Sequence, residues 1–165
     1  MSAATIRAEG LVPSTRDALF ARLCDLDGHR GLAAPHIAIL RLRGPRGART
    51  GGDVELRGPL GVRLRATTAV RTVLLPRELS GTATTARGTT ATLCWRLDEV
   101  ARAQTRVTAV MTVQPRGAVD RLLLRAGGAR WLHRRLVTAI GRLAAAETSR
   151  GEVRPRPLRA TRAQA

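Results

Sequence analysis

Few side chains in this sequence can carry acid–base or nucleophilic chemistry, and they are scattered. The 165 residues include 3 histidines, 2 cysteines and no tyrosine. His36 alternates with Ala38, Leu40 and Leu42, and His133 recurs at helical spacing with Ala129, Leu136, Ile140 and Leu143, so both are expected to face inward. An imidazole on a cavity wall can orient a ligand carbonyl or pass a proton near neutral pH. The plainer role is a hydrogen-bonded core histidine. Thr68, Thr85 and Thr89 fall on inward positions of alternating runs, where hydroxyls can hold the polar end of a ligand. Threonine is also simply a good strand former. Trp95 is the one large aromatic on such a row and serves either as a stacking wall or, the preferred reading, as core bulk. The candidate binding residues are therefore His36, Thr68, Thr85, Thr89, Trp95 and His133, with His133 the candidate proton carrier.

The remaining polar patterns are weaker. Asp25 and Asp27 stand two apart on a loop, where carboxylates need not converge and can instead cap a short helix. Asp53 and Glu55 alternate with Val54 and Leu56 beside Arg57, as on a solvated strand face. Cys24 and Cys94 are far apart, with no CxxC, so neither a zinc site nor a disulfide framework is expected. No HExxH, nucleophile elbow, Walker loop or dinucleotide fingerprint occurs, and no metal or cofactor is expected.

The formal net charge is +17, and all 29 basic residues are arginine. Such a charge invites a nucleic-acid reading. Arginine without lysine, in a chain rich in Ala and Gly, is also what GC-rich coding produces. The arginines are spread along the chain, and few aromatics stand by to stack bases. Nucleic acid is therefore not the favoured partner. Apolar runs such as Val73 to Leu75 fall far short of the roughly 18 residues that span a membrane. Arg7 and Glu9 sit where a signal peptide needs an apolar core, so a cytoplasmic location is expected.

These residues must be held by elements that the periodicity predicts. Residues 4–12 alternate as a first strand, ended by Pro13. Ser14 or Thr15 caps a helix that buries Leu19, Leu23 and Phe20. Asp25 to Leu32 is a turn or short second helix. From His36 to Pro115 the period is two, most cleanly in Val62, Leu64, Ala66, Thr68 and Val70. Gly44–Gly52 and the Asp98–Gln104 stretch read as turns. Six strands with no room for crossover helices make an antiparallel meander. Residues 118–147 then read as a helix of about 30 residues, roughly 45 Å long. Leu122, Ala126, Ala129, His133, Leu136, Ile140 and Leu143 form its stripe, and Gly127-Gly128 reads as a bend. Leu124 and Trp131 fall off that stripe. Residues 148–165 hold five arginines against Glu152, with Pro155 and Pro157, and read as a flexible basic tail.

This order of strand, short helices, six strands and long helix resembles the START/Bet v 1-like superfamily (SRPBCC; polyketide cyclase/dehydrase and lipid transport). Val12–His29, Gly58–Val70, Glu78–Leu97 and Thr105–Pro115 are similar to its opening, central and closing segments. The resemblance covers residues 4–147 and is one of pattern, without a catalytic signature. It implies an α+β helix-grip fold, a curved antiparallel sheet of about seven strands wrapped around the C-terminal helix. It also implies a hydrophobic cavity between the two, here walled by Leu, Val, Ala and Thr. The function expected is binding of a hydrophobic small molecule, lipid or polyketide-like. Two alternatives stand beside it. One is a cyclase or dehydratase using the same cavity. The other is a basic module whose tail contacts RNA, the ribosome or an anionic membrane.

Overall fold

The computed structural model describes residues 3–29, 35–58 and 61–151. The elements run β1 (Ala4–Val12), α1 (Arg16–Cys24), β2 (Ile37–Arg43), β3 (Gly51–Arg57), β4 (Arg63–Leu74), β5 (Glu78–Thr85), β6 (Thr90–Ala101), β7 (Gln104–Gln114), α2 (Ala118–Leu123) and α3 (Ala129–Gly151). The strands form one antiparallel sheet in the order β1-β7-β6-β5-β4-β3-β2. Every neighbour but one is a hairpin partner. The exception is β1, which lies beside β7, so the two ends of the chain's strand run meet. The sheet is curved and carries the long C-terminal helix, an α+β helix-grip arrangement.

Alternation decides which residues the sheet presents inward. Ile6, Ala8 and Val12 of β1 share a face with Val107, Ala109 and Val113 of β7 and with Leu97 of β6, and all are buried. Leu136, Ile140 and Leu143 of α3 pack on this wall, and Leu19, Phe20 and Leu23 of α1 join the same core. Gly10 is what allows the helix so close. A Cβ there would stand 2.8 Å from Ile140 Cγ2. Gly51 meets a similar constraint, at φ +144° with its missing Cβ only 2.1 Å from the Thr68 carbonyl oxygen. Gly51 and Gly52 thus belong to β3, paired with Ala69 and Thr68, rather than to the turn expected there.

Two other expected boundaries move. The Asp98–Gln104 stretch is not a loop: Asp98 and Glu99 pair with Arg106 and Thr105, and the hairpin turns at Ala103, φ 56°. Asp98, Glu99, Arg102 and Gln104 are exposed because this end of the hairpin is solvated, not because the strand has stopped. The last helix runs on to Gly151, where Thr148 and Ser149 hydroxyls donate to the carbonyls of Ala144 and Ala145. The first residues of the flexible tail expected from 148 are thus helical, and residues 152–165 lie outside the described residues. So does most of the expected second helix after Asp25, of which the turn at 26–28 and His29 are described.

The structure bends at Gly127-Gly128, as expected. Leu124–Gly128 forms a π-turn with Gly127 at φ +114°, which separates α2 from α3. Beyond it the buried stripe is Leu136, Ile140 and Leu143, with Leu124, Ala129 and Leu132 partly buried and packed against the core. His133 is exposed, and so are Leu122 and Ala126. This corrects the expected stripe. Either residue 132 or 133 can precede Leu136 at helical spacing, and burying a leucine removes more apolar surface from water than burying an imidazole.

Polar contacts fasten the ends of this packing. Thr15 caps α1, its side chain accepting from the Ala18 amide. Ser14 is spent elsewhere, its hydroxyl donating to Glu147 Oε2 at 2.9 Å, while Arg22 donates to Glu147 Oε1 at 2.6 Å. The Thr105 hydroxyl donates to the Ser14 carbonyl from a fully buried position. Glu147 thereby joins α3 to both ends of α1. Asp27 receives both Nε and Nη2 of Arg49, joining the segment after α1 to the β2–β3 hairpin.

Replacing Glu147 with alanine leaves Ser14 and Arg22 without their shared acceptor in a largely buried setting. The expected loss is about 1–3 kcal/mol of stability, read by denaturant unfolding. A loss no larger than for a surface glutamate such as Glu9 would contradict it. His29 gives the fold a pH dependence. Burial pushes its imidazole below the ordinary pKa of 6.5, against the opposing pull of the Leu23 carbonyl, 2.9 Å from Nε2, and of Asp25. The folded chain therefore holds His29 neutral where the unfolded chain takes up a proton. Its contribution is intact above the ordinary value and lost as pH falls below it. Melting temperature should drop between about pH 7.5 and about pH 5.5, and drop less in His29→Gln.

Candidate functional site

One face of one sheet is buried very unevenly. On β1, β7 and the far half of β6 it is closed by α1 and α3. Continued across the register, the same face passes through Leu93 and Trp95 of β6, Gly81, Ala83 and Thr85 of β5, and Ala66, Thr68 and Val70 of β4. It ends on Val54 and Leu56 of β3 and Ile37 and Ile39 of β2. All of these except Ala66 are only half-buried. The extensive backbone contact of α3 with the sheet is to β1, and α1 covers β5 and β6. The inner wall of β2–β5 thus lies beyond the extensive contacts of both helices with the sheet, apart from that of α1 with β5. Its side chains are aliphatic or threonine, as expected from the composition.

The expected position of His36 needs correction. Counting back by twos from Leu42 puts Leu40, Ala38 and His36 inward. A β-bulge between Ile39 and Arg41 breaks that count, so Ile37 and Ile39 face in while Ala38 takes the opposite face and Leu40 is exposed. His36 itself precedes β2. Its ring meets the Trp131 indole of α3 edge-on, centroids 6.0 Å apart and planes at 84°. Trp131 also carries Arg135, with the guanidinium carbon 5.4 Å from the ring centroid. His36 and Trp131 thereby bridge the gap between β2 and the helix at the end where β2 begins, β5 ends and α3 starts.

The threonines separate into two kinds. Thr68 and Thr85 are on the inner wall, their hydroxyls donating to the carbonyls of Gly52 at 3.0 Å and Thr89 at 3.3 Å, which leaves their oxygens as acceptors. Thr89 is occupied on both counts. Its hydroxyl donates to Asp120 Oδ2 and accepts from the Arg116 amide at 3.1 Å. Asp120 is buried at the first turn of α2, so Thr89 seats that helix on the β5–β6 turn. Trp95 lies opposite Ala109 and Leu79, half-buried and packed against the core.

Other groups do not converge. Asp25 ends α1, and Asp27 is paired with Arg49. Asp53, Glu55, Arg57 and Arg63 sit on the outer face with Thr67, in ion pairs and a hydrogen bond along the strands. A concavity of about 620 Å³ opens on that outer face, lined by Leu40, Arg41, Asp53, Arg65, Thr67 and Thr84 among others. Burial raises the thiol pKa of both Cys24 and Cys94, with Glu78 adding to the effect at Cys94. Neither is poised as a nucleophile. Among the described residues no three His, Cys, Asp or Glu side chains gather as a metal site would require, and no helix is long and apolar enough to cross a membrane.

The sheet order, the terminal helix on β1 and the open inner wall define the START/Bet v 1-like helix-grip fold, and the chain has that fold. Solved structures agree. The Thermus thermophilus protein TTHA0849 superposes with a TM-score of 0.70 at 16% identity, over 90% of this chain and 100% of that one. The Zhui aromatase/cyclase of Streptomyces sp. R1128 gives 0.69 at 16% identity, over 92% and 98%. DynU16, from the dynemicin biosynthetic locus, gives 0.53 at 19% identity, over 88% of this chain and 47% of that one. No family model and no curated protein matches the sequence.

The contacts of Thr89 mark it as a support for α2 rather than a ligand contact. Thr89→Val should cost about 1–3 kcal/mol of stability, because Asp120 loses its donor in a buried site. Amide exchange should quicken across Ala118–Leu123 while affinity for an apolar probe is unchanged. An intact melting temperature with weakened probe binding would reverse the assignment.

Proposed function

We propose that this chain binds a hydrophobic small molecule, lipid or polyketide-like, between the inner wall of β2–β5 and α3. The observation that carries the reading is the uneven burial of one sheet face. The aliphatic wall of Ile37, Ile39, Val54, Leu56, Val70 and Ala83 is held half-buried by a helix seated on the opposite edge. Enclosing apolar ligand surface there gains about 25 cal/mol per Å² removed from water. Thr68 and Thr85 supply acceptors on the wall, and His36 and Trp131 frame one end. Likeness to an aromatase/cyclase and to a biosynthetic-locus protein supports a ligand of this kind.

Native mass spectrometry of the protein after exposure to a mixed lipid and polyketide extract should detect a bound small molecule. Ala83→Trp should block the space and lower that occupancy by about tenfold or more with the fold retained. A protein that stays empty, or a variant that binds equally well, would contradict the reading.

A cyclase-type reaction in the same space is the second reading, favoured by the aromatase/cyclase likeness alone. With His133 exposed, His36 is the imidazole beside the space. It has an aromatic ring against it and no carboxylate partner among the described hydrogen bonds, an arrangement suited to binding more than to proton transfer. The basic-module reading rests on the outer arginines and the tail from residue 148, of which residues 152–165 lie outside the described residues.

A further inference from the structure

On α3 three rows can be told apart. Leu132, Leu136, Ile140 and Leu143 face β1. His133, Arg134, Val137, Thr138 and Gly141 are exposed. Between them runs a half-buried row, Trp131, Arg135, Ala139 and Arg142. Contact of Trp131 with His36 shows which way this row looks: toward β2, across the proposed cavity. Arg135 stands one turn, about 6 Å, further along the helix than Trp131. It is therefore just inside the bridge that His36 and Trp131 make.

Arg135 differs from the solvated arginines of the surface. Its guanidinium lies against the Trp131 ring, and its Nε is buried with no hydrogen-bond partner. No carboxylate is within ion-pairing distance of it among the described residues. A buried N–H without an acceptor is unfavourable, and on a guanidinium a planar oxyanion is a group that relieves it. The indole face beside the guanidinium favours one placement of this planar cation over the many open to a solvated arginine.

We infer that Arg135, framed by Trp131 and His36, is an oxyanion subsite, and that the ligand is a hydrophobic acid held by its carboxylate one turn inside the cavity mouth. This rests on the cavity reading and adds the charge of the ligand and the place of its head group. The apolar body then lies along Val54, Leu56 and Ala83, and Arg135 supplies the orientation that the threonine hydroxyls alone leave loose.

The test compares cis-parinaric acid with its methyl ester, two fluorescent probes that share one apolar chain and differ in the charge of the head group. The acid should bind about tenfold or more tightly in the wild type. Arg135→Gln should erase that preference by weakening the acid while leaving ester affinity unchanged, so the ester also reports an intact cavity. Arg134→Gln, an exposed neighbour of equal charge, should leave the preference in place. Acid and ester binding equally in the wild type would overturn the subsite and leave the cavity standing. Neither probe binding would overturn both. Equal losses in the Arg134 and Arg135 variants would assign the preference to general surface charge and overturn the subsite as well. Should Arg135→Gln fail to bind the ester, Arg135→Lys, which keeps the charge and loses the fork, must retain ester binding with a reduced acid preference, and an undiminished preference there would overturn the assignment.

Discussion

The approach of Ile140 to Gly10 governs the rest of the molecule. A 23-residue helix is a stiff rod, and here one side of it is pressed onto an edge strand whose glycine leaves no Cβ in the way. Once the rod lies on β1, its distance from β2 follows from the curvature of the sheet. The opening between them is thus set by packing at the opposite edge, and the residues that line it need not hold it open. A helix free to slide would let the half-buried wall collapse onto it, since apolar surface favours closure.

Two polar anchors hold the C-terminal helices, one near the end of the rod and one on the short α2 before the bend. Glu147 takes Ser14 and Arg22 on its two oxygens, and Asp120 takes Thr89 at the start of α2. Both acids are largely buried and both are satisfied, the condition under which a buried charge specifies geometry without leaving an unpaired group. These anchors stand at the rims. The middle of the wall holds only Thr68 and Thr85, each with its hydroxyl hydrogen donated to a neighbouring carbonyl. Locating the strong polar contacts at the ends is what lets the centre remain apolar and open.

Much of this was legible from periodicity. The clean row from Val62 to Val70, the helix over the last third and the bend at Gly127-Gly128 each follow from local residue types that act on the backbone nearby. The errors share a physical cause: a single inserted or skipped residue changes the face of everything beyond it. The bulge after Ile39 moves Ala38 and Leu40 to the outer face, and the choice between residues 132 and 133 turns His133 to solvent. Neither leaves a mark on composition. The meeting of Trp131, Arg135 and His36 was harder still to see, because Trp131 falls off the stripe counted through the bend and His36 reaches it across a gap. The only signal was that Trp131 did not fit the predicted stripe.

The high arginine content obscures this site rather than revealing it. Exposed pairs such as Arg7 with Glu9 and Arg96 with Glu78 are solvated contacts on outer strand faces and contribute little to stability. What separates Arg135 from them is environment: an indole against the guanidinium and an Nε without an acceptor. The aromatic scarcity sharpens the contrast. Phe20 fills the core under α1, and Trp95 packs into the wall, each placed for its bulk. Trp131 is the remaining aromatic, and it is spent at the cavity rim between an imidazole and a guanidinium. Packing alone does not account for that position, since any aliphatic side chain would cover the same rim. An aromatic face that attracts the Arg135 guanidinium does account for it.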